Sequence, residues 1–136
     1  MIEVVYCMRR KAGLSHEAFL DHWGHVHAPI VTANLGVLRL AGYERNVPLQ
    51  HPFSERVERR RVMLPPFDGV ARLMWATEQD MQHAFESEEA LAVQRLLAQD
   101  EVLFVEPAAS CRWVGRTDTH LDPHLRAEGP TRIRRD

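Results

Sequence analysis

The chain has 136 residues, 45% of them hydrophobic and 26% charged, which suits one globular domain with a modest core. A formal net charge of -2 lacks the basic excess that nucleic acid or an anionic membrane surface would attract, so neither is expected as a partner. No apolar run approaches the roughly 20 residues of a bilayer span, and the first residues lack signal-peptide architecture, so a cytoplasmic location is the expectation.

Residues 2–9, IEVVYCMR, form a β-branched and apolar run that predicts a first strand. Gly13 supplies a turn, Ser15 caps the helix that follows, and Glu17 sits where the helix dipole favours an anion. That helix carries FLDHWGHVHAPIV, residues 19–31, the one segment that looks chemical. Phe19, Trp23, Val26, His27 and Ile30 recur at three and four residues and share a face, so His27 points with the apolar stripe. Pro29 lacks an N–H and leaves the carbonyl of His25 without its donor, which predicts a bend or an early end.

Leu38–Val47 reads as a second strand carrying Tyr43. Residues 48–67, with VERRR between two proline-bearing stretches, form a charged insertion, expected as a solvated excursion or as an arm packing across a dimer. Asp68-Gly69 then turns the chain into a third strand over residues 70–76. Thr77 with Asp80 makes a capping box for a second helix, and Ser87 restarts it, so two helical pieces are predicted. Residues 110–115, SCRWVG, form the last strand. Cys7 and Cys111 both lie in strand-like apolar stretches and read as buried thiols.

The order strand, helix, strand, strand, helix, strand is the α+β split βαβ, or ferredoxin-like, arrangement, with both helices on one face of a four-stranded antiparallel sheet. The other face also carries bulk, because Val5, Cys7 and Arg9 alternate with Val4, Tyr6 and Met8. A second copy is the simplest cover, which predicts a homodimer closed as a dimeric α+β barrel with a sheet-lined interior. The domain is expected to span residues 1–116, followed by a polar tail over 117–136.

Among single residues, His27 is the leading acid or base, because imidazole titrates near neutrality; its alternative is a hydrogen bond to frayed carbonyls at a helix end. Tyr43 either donates a proton to a developing oxyanion or packs with its hydroxyl in solvent. Arg72, in the middle of an apolar strand, needs a carboxylate or a ligand anion, and Asp100 or Glu101 is its expected partner. His22 is either a second titrating group or a surface residue, while Trp23 and Phe104 are either core or the apolar wall of a site. His22, His25 and His27 do not converge on an ideal helix, and no acidic or cysteine ligand lies at zinc-like spacing, so no metal is expected.

The first helix, together with Phe67-Asp68-Gly69-Val70-Ala71 and with Asp100-Glu101 followed by Phe104, resembles the EthD family, whose members carry YW, a few residues, then HAPLV. Here His22-Trp23 stands for the aromatic pair and His27-Ala28-Pro29-Ile30-Val31 for the second motif, and the likeness covers about residues 2–115. Three departures are His22 in place of tyrosine, Arg72 where an acidic residue is common, and the charged insertion. The resemblance implies a dimeric α+β barrel and roles in small-molecule catabolism or aromatic polyketide tailoring. It thereby points to a cofactor-independent enzyme working by proton transfer on a small hydrophobic, aromatic or polyketide-like molecule, as a dehydratase, cyclase, isomerase or decarboxylase. In that reading His27, Tyr43 and Arg72 are catalytic, and His22, Trp23 and Phe104 bind substrate. A cofactor-free monooxygenase and a non-catalytic small-molecule-binding protein are the alternatives.

Overall fold

The computed structural model describes residues 1–124; the remainder of the expected tail, 125–136, lies outside the described residues. Strand β1 covers Ile2–Met8, β2 Gly42–Asn46, β3 Gly69–Trp75 and β4 Cys111–Gly115. They form a single antiparallel sheet in the order β2-β3-β1-β4, the ferredoxin-like order inferred from the sequence. Helix α1 spans His16–His22, α2 Ala28–Thr32, α3 Leu35–Leu38, α4 Ser54–Glu58, α5 Glu78–Glu86 and α6 Glu88–Glu101. Local chemistry sets these boundaries. Ser15, Thr77 and Ser87 each accept a hydrogen bond from a backbone N–H in the first turn of α1, α5 and α6, which supplies donors there with the partner that a helix start lacks.

The second strand starts later than expected. Leu38 closes α3, and Arg39 follows in the left-handed region at φ 52°, so the apolar run 35–40 is a helical corner packed on Val31 and Leu97 instead of strand. Periodicity over so short an apolar run does not separate the two states.

The helices cover the sheet face that carries Tyr6, Met8, Ala71, Leu73 and Trp75. On this side Phe19, Trp23 and Phe104 pack with Met8, and Val31 and Leu38 pack with Ala90 and Leu97. Full burial of such side chains is worth roughly 1.5–3 kcal/mol each. Gly69 is required where β3 begins, because a Cβ there would lie 2.3 Å from Cζ3 of Trp23.

On the opposite face, Val5, Val70, Met74 and Trp113 lie with Glu3, Glu44 and Arg72, and among the described residues no helix covers them. Cys7 and Cys111 are register partners on this face. Cys7 is buried as expected, but Cys111 is exposed, because β4 is an edge strand. Asp68 does more than turn the chain: its carboxylate accepts from the Arg10 backbone N–H at 2.8 Å and from the Arg10 guanidinium at 2.6 Å.

Candidate active site

The first helix holds its pattern by changing its winding. Phe19, Trp23, His27 and Val31 are its buried residues, each four positions after the last, whereas Val26 is 46% exposed. On a regular α-helix a step of four residues overshoots one turn by about 40°, so such a row would drift off the core. Between α1 and α2 the stretch Trp23–His27 is instead a π-turn, in which the Ala28 N–H donates to the Trp23 carbonyl. Pro29 neither ends the helix nor opens it to solvent. Its missing N–H frees a carbonyl one turn back, the wider turn absorbs the defect, and the row of four stays aligned.

That alignment drives the His27 ring inward. His27 is 8% exposed, and its Nδ1 lies 2.8 Å from Oδ2 of Asp100, near the end of α6. A carboxylate only accepts, so Nδ1–H is the donor and Nε2 carries the lone pair. Nε2 turns towards Glu101, with Oε1 at 4.0 Å. His22 approaches the same carboxylate through Nε2 at 3.0 and 3.1 Å, so Asp100 lies between two imidazoles. Phe104, fully buried, is wedged behind both rings at 4.8 and 5.0 Å. His25 is exposed and uses its Nδ1 on the Asp21 carbonyl, so it turns away while His22 and His27 meet at Asp100.

Between helices and sheet lies a cavity of about 320 Å³. Its walls are mostly apolar, including Val4, Met8, Leu38, Leu73, Trp75 and Leu97, and its polar groups are Tyr6, His27, Tyr43, Gln94, Glu101 and Arg112. Its lining residues come from the helices and the sheet, and none from the insertion. This is the kind of concave, largely apolar site in which a few convergent polar groups fix a small molecule. A more open groove of about 780 Å³ runs beneath the insertion. There the cations are engaged, with Arg9 donating to the carbonyls of Pro65 and Pro66, and Arg10 and Arg60 paired to Asp68 and Glu58.

Burial dominates the electrostatics of the cavity. It pulls the His27 imidazole below its ordinary value, against the hydrogen bond and charge of Asp100, which favour protonation. It pushes Glu101 above the usual carboxyl range, with Arg112 opposing and Asp100 reinforcing. Burial also raises Tyr43, whose hydroxyl accepts from the Trp23 indole N–H at 3.0 Å and so keeps its own proton to donate.

Of the six residues singled out in the sequence, His27, Tyr43 and Trp23 meet at this cavity. His22 and Phe104 stand behind it, holding Asp100 and His27 in place. Arg72 is on the opposite face of the sheet, and its partners are Glu3 at 2.9 Å, Glu44 at 3.1 Å and the Thr117 hydroxyl at 2.8 Å, in place of Asp100 or Glu101. The reason is register: Arg72 pairs with Val5 across β1, whereas Ala71 pairs with Tyr6 on the cavity side. Glu101, Tyr6 and Arg112 were not recognised in the sequence as site residues. Strand alternation carries a signal for Tyr6, which shares parity with Val4 and Met8, but nothing local marks Glu101 as inward-facing.

The EthD domain model matches residues 11–108, most of the chain. No curated protein sequence matches it significantly. Among solved structures, an ethyl tert-butyl ether D (EthD) family protein from Bacillus halodurans superposes with a TM-score of 0.58 at 15% identity, covering 87% of this chain and 99% of that one. An EthD-like protein from Ralstonia eutropha gives 0.55 at 16% identity over 84% and 88%. A dimeric protein of unknown function with a ferredoxin-like fold from Bacteroides fragilis gives 0.51 at 9% identity over 85% and 95%. With its ferredoxin-like order of elements and a family match that takes in the first helix, β3 and the Asp100-Glu101 pair, this chain belongs to the EthD family.

Proposed function

We propose that this chain is a cofactor-independent enzyme that acts by acid–base proton transfer on a small hydrophobic molecule of aromatic or polyketide-like character. The observation that carries the reading is His27, a buried imidazole fixed by Asp100 through Nδ1 and presenting Nε2 towards an apolar cavity. Nε2 takes a proton from the substrate, and Asp100 stabilises the imidazolium that forms. The Tyr43 hydroxyl, positioned by the Trp23 indole, donates a hydrogen bond to the oxygen on which negative charge develops. Apolar walls exclude water and strengthen these interactions. Dehydration, cyclisation, isomerisation and decarboxylation all use these steps. Arg72, across the sheet, lies outside this mechanism.

The working unit in this proposal is a homodimer. The open face with Val5, Met74 and a half-exposed Trp113 supports that reading, as does the dimeric state named for the Bacteroides protein. Arm contacts from residues 48–67 and a domain limit near residue 116 belong to the same proposal.

The test is substrate loss across a panel of phenols, aryl ketones and polyketide-like lactones, followed by mass spectrometry with an oxygen electrode in parallel. Turnover without oxygen uptake that disappears in His27→Ala is expected. Turnover coupled to oxygen uptake would assign a monooxygenase instead, and saturable binding without turnover would assign a binding protein.

A further inference from the structure

A second titratable group shares the cavity with His27 and has no role in the mechanism above. Glu101 is half-buried at the end of α6, lines the cavity, and places Oε1 4.0 Å from Nε2 of His27. A carboxyl in such a place usually has a guanidinium on it. Here Arg112 faces the same space but sits over the Tyr6 ring at 5.3 Å, and no hydrogen bond joins it to Glu101 among the described residues. The other titratable groups nearby are already engaged. Tyr43 is held by Trp23, while Asp100 is held by His22 and His27. Tyr6 lies under Arg112.

We propose that Glu101 is the proton donor that works opposite His27, so that the cavity enolises an apolar ketone by taking a proton from carbon and giving one to oxygen. The inference rests on the acid–base reading of this cavity and adds to it a second catalytic residue and a substrate class.

The protonation states fit a donor and acceptor pair. Burial disfavours both charged forms, lowering the imidazole and raising the carboxyl, so each shifts towards the form that a base and an acid need. The position of Glu101 at the carbonyl end of α6 adds to this, since the helix dipole disfavours an anion there. His27 has its lone pair on Nε2 because Nδ1–H is committed to Asp100. The imidazole nitrogen and the carboxyl thus face the same space.

The step balances without a co-reactant. Nε2 removes the proton from the carbon next to the carbonyl; the C–H electron pair becomes the C=C bond, and the carbonyl π pair moves to oxygen. That oxygen takes the proton from Glu101. The products are an enol, an imidazolium at position 27 and a carboxylate at position 101. A small rotation of the glutamate closes the 4.0 Å gap, and the imidazolium returns its proton to the carboxylate. The Tyr43 hydroxyl hydrogen-bonds the same oxygen while its charge changes.

The experiment is deuterium wash-in from D2O into 2-tetralone and into a straight-chain 1,3-diketone, followed by proton NMR. The wild type is expected to exchange the carbon next to the carbonyl faster than buffer. Glu101→Gln, isosteric but without an acidic proton to donate, should slow wash-in about 100-fold, with Glu101→Asp intermediate. Its pH profile should lose the alkaline limb that deprotonation of the glutamate imposes, an effect that a merely structural role would not produce. Circular dichroism melts confirm that each variant is folded. A Glu101→Gln rate within threefold of wild type, with His27→Ala inactive, would overturn the role of Glu101 and leave the His27 reading standing. Wild-type rates in both variants would overturn both. No wash-in above buffer into either ketone would overturn enolisation, while the phenol and lactone panel still reports on His27.

Discussion

Two glutamates on opposite faces of one sheet are buried to different ends. On the open face, burial pushes the Glu3 carboxyl up, but the Arg72 guanidinium at 2.9 Å and the Thr117 hydroxyl at 2.8 Å outweigh it and hold the group below the usual range. On the helix face, Glu101 has no such bond among the described residues, and burial carries it upwards. Burial is therefore not what makes a carboxyl useful for chemistry; the absence of a hydrogen-bonded cation is. The first face resolves its charges among its own residues, which makes a stable surface. The second sets a carboxyl shifted upwards and an imidazole shifted downwards beside a largely apolar cavity.

The helix-face chemistry depends most heavily on His27. Its replacement by Ala should lower turnover by roughly 10²–10⁴-fold in the substrate-loss assay. Next comes Asp100→Asn, whose amide can donate to Nδ1 and favour the wrong tautomer. A loss on the order of 100-fold in kcat is expected, with KM little changed.

Stability should sharpen the contrast between the faces. Gly69→Ala drives a Cβ into the Trp23 ring and should cost about 1–3 kcal/mol, read as a lower Tm. Arg72→Met strands the Glu3 carboxylate and should cost about 1–3 kcal/mol. Turnover per folded molecule should stay within a few-fold, because the sheet separates Arg72 from the cavity. A large drop in kcat would return Arg72 to the chemistry.

The smallest effect is on pH. His27 is held below the ordinary 6.5, so the unfolded chain binds more protons and stability falls as pH drops below that value. Glu101 is held above the ordinary 4.5, so here the native chain binds more protons and stability falls as pH rises through its raised value. Thermal melts of His27→Gln should lose the first dependence, and those of Glu101→Gln the second.

Much of the architecture was readable because its signals are local. Ser15, Thr77 and Ser87 mark helix starts within a single turn, and Asp68-Gly69 introduces β3. The inward face of Trp23 and His27 follows from their spacing of four. Where a signal was degenerate the reading slipped, as at Leu38, where a short apolar run fits helix and strand equally. Pro29 announced a disturbance but not its form, since a missing N–H can end, kink or widen a helix.

The sequence by itself determined the order of elements, the antiparallel α+β class and the burial of the Trp23 and His27 stripe, because periodicity, caps and turn residues act within a few positions. Only the tertiary structure decided which carboxylate meets which cation. Asp100 reaches His27 across 73 positions and Glu3 reaches Arg72 across 69, and both pairings depend on strand register and on where α6 ends. A shift of one residue in β3 would exchange the faces of Ala71 and Arg72, and would take the guanidinium from Glu3 and Glu44.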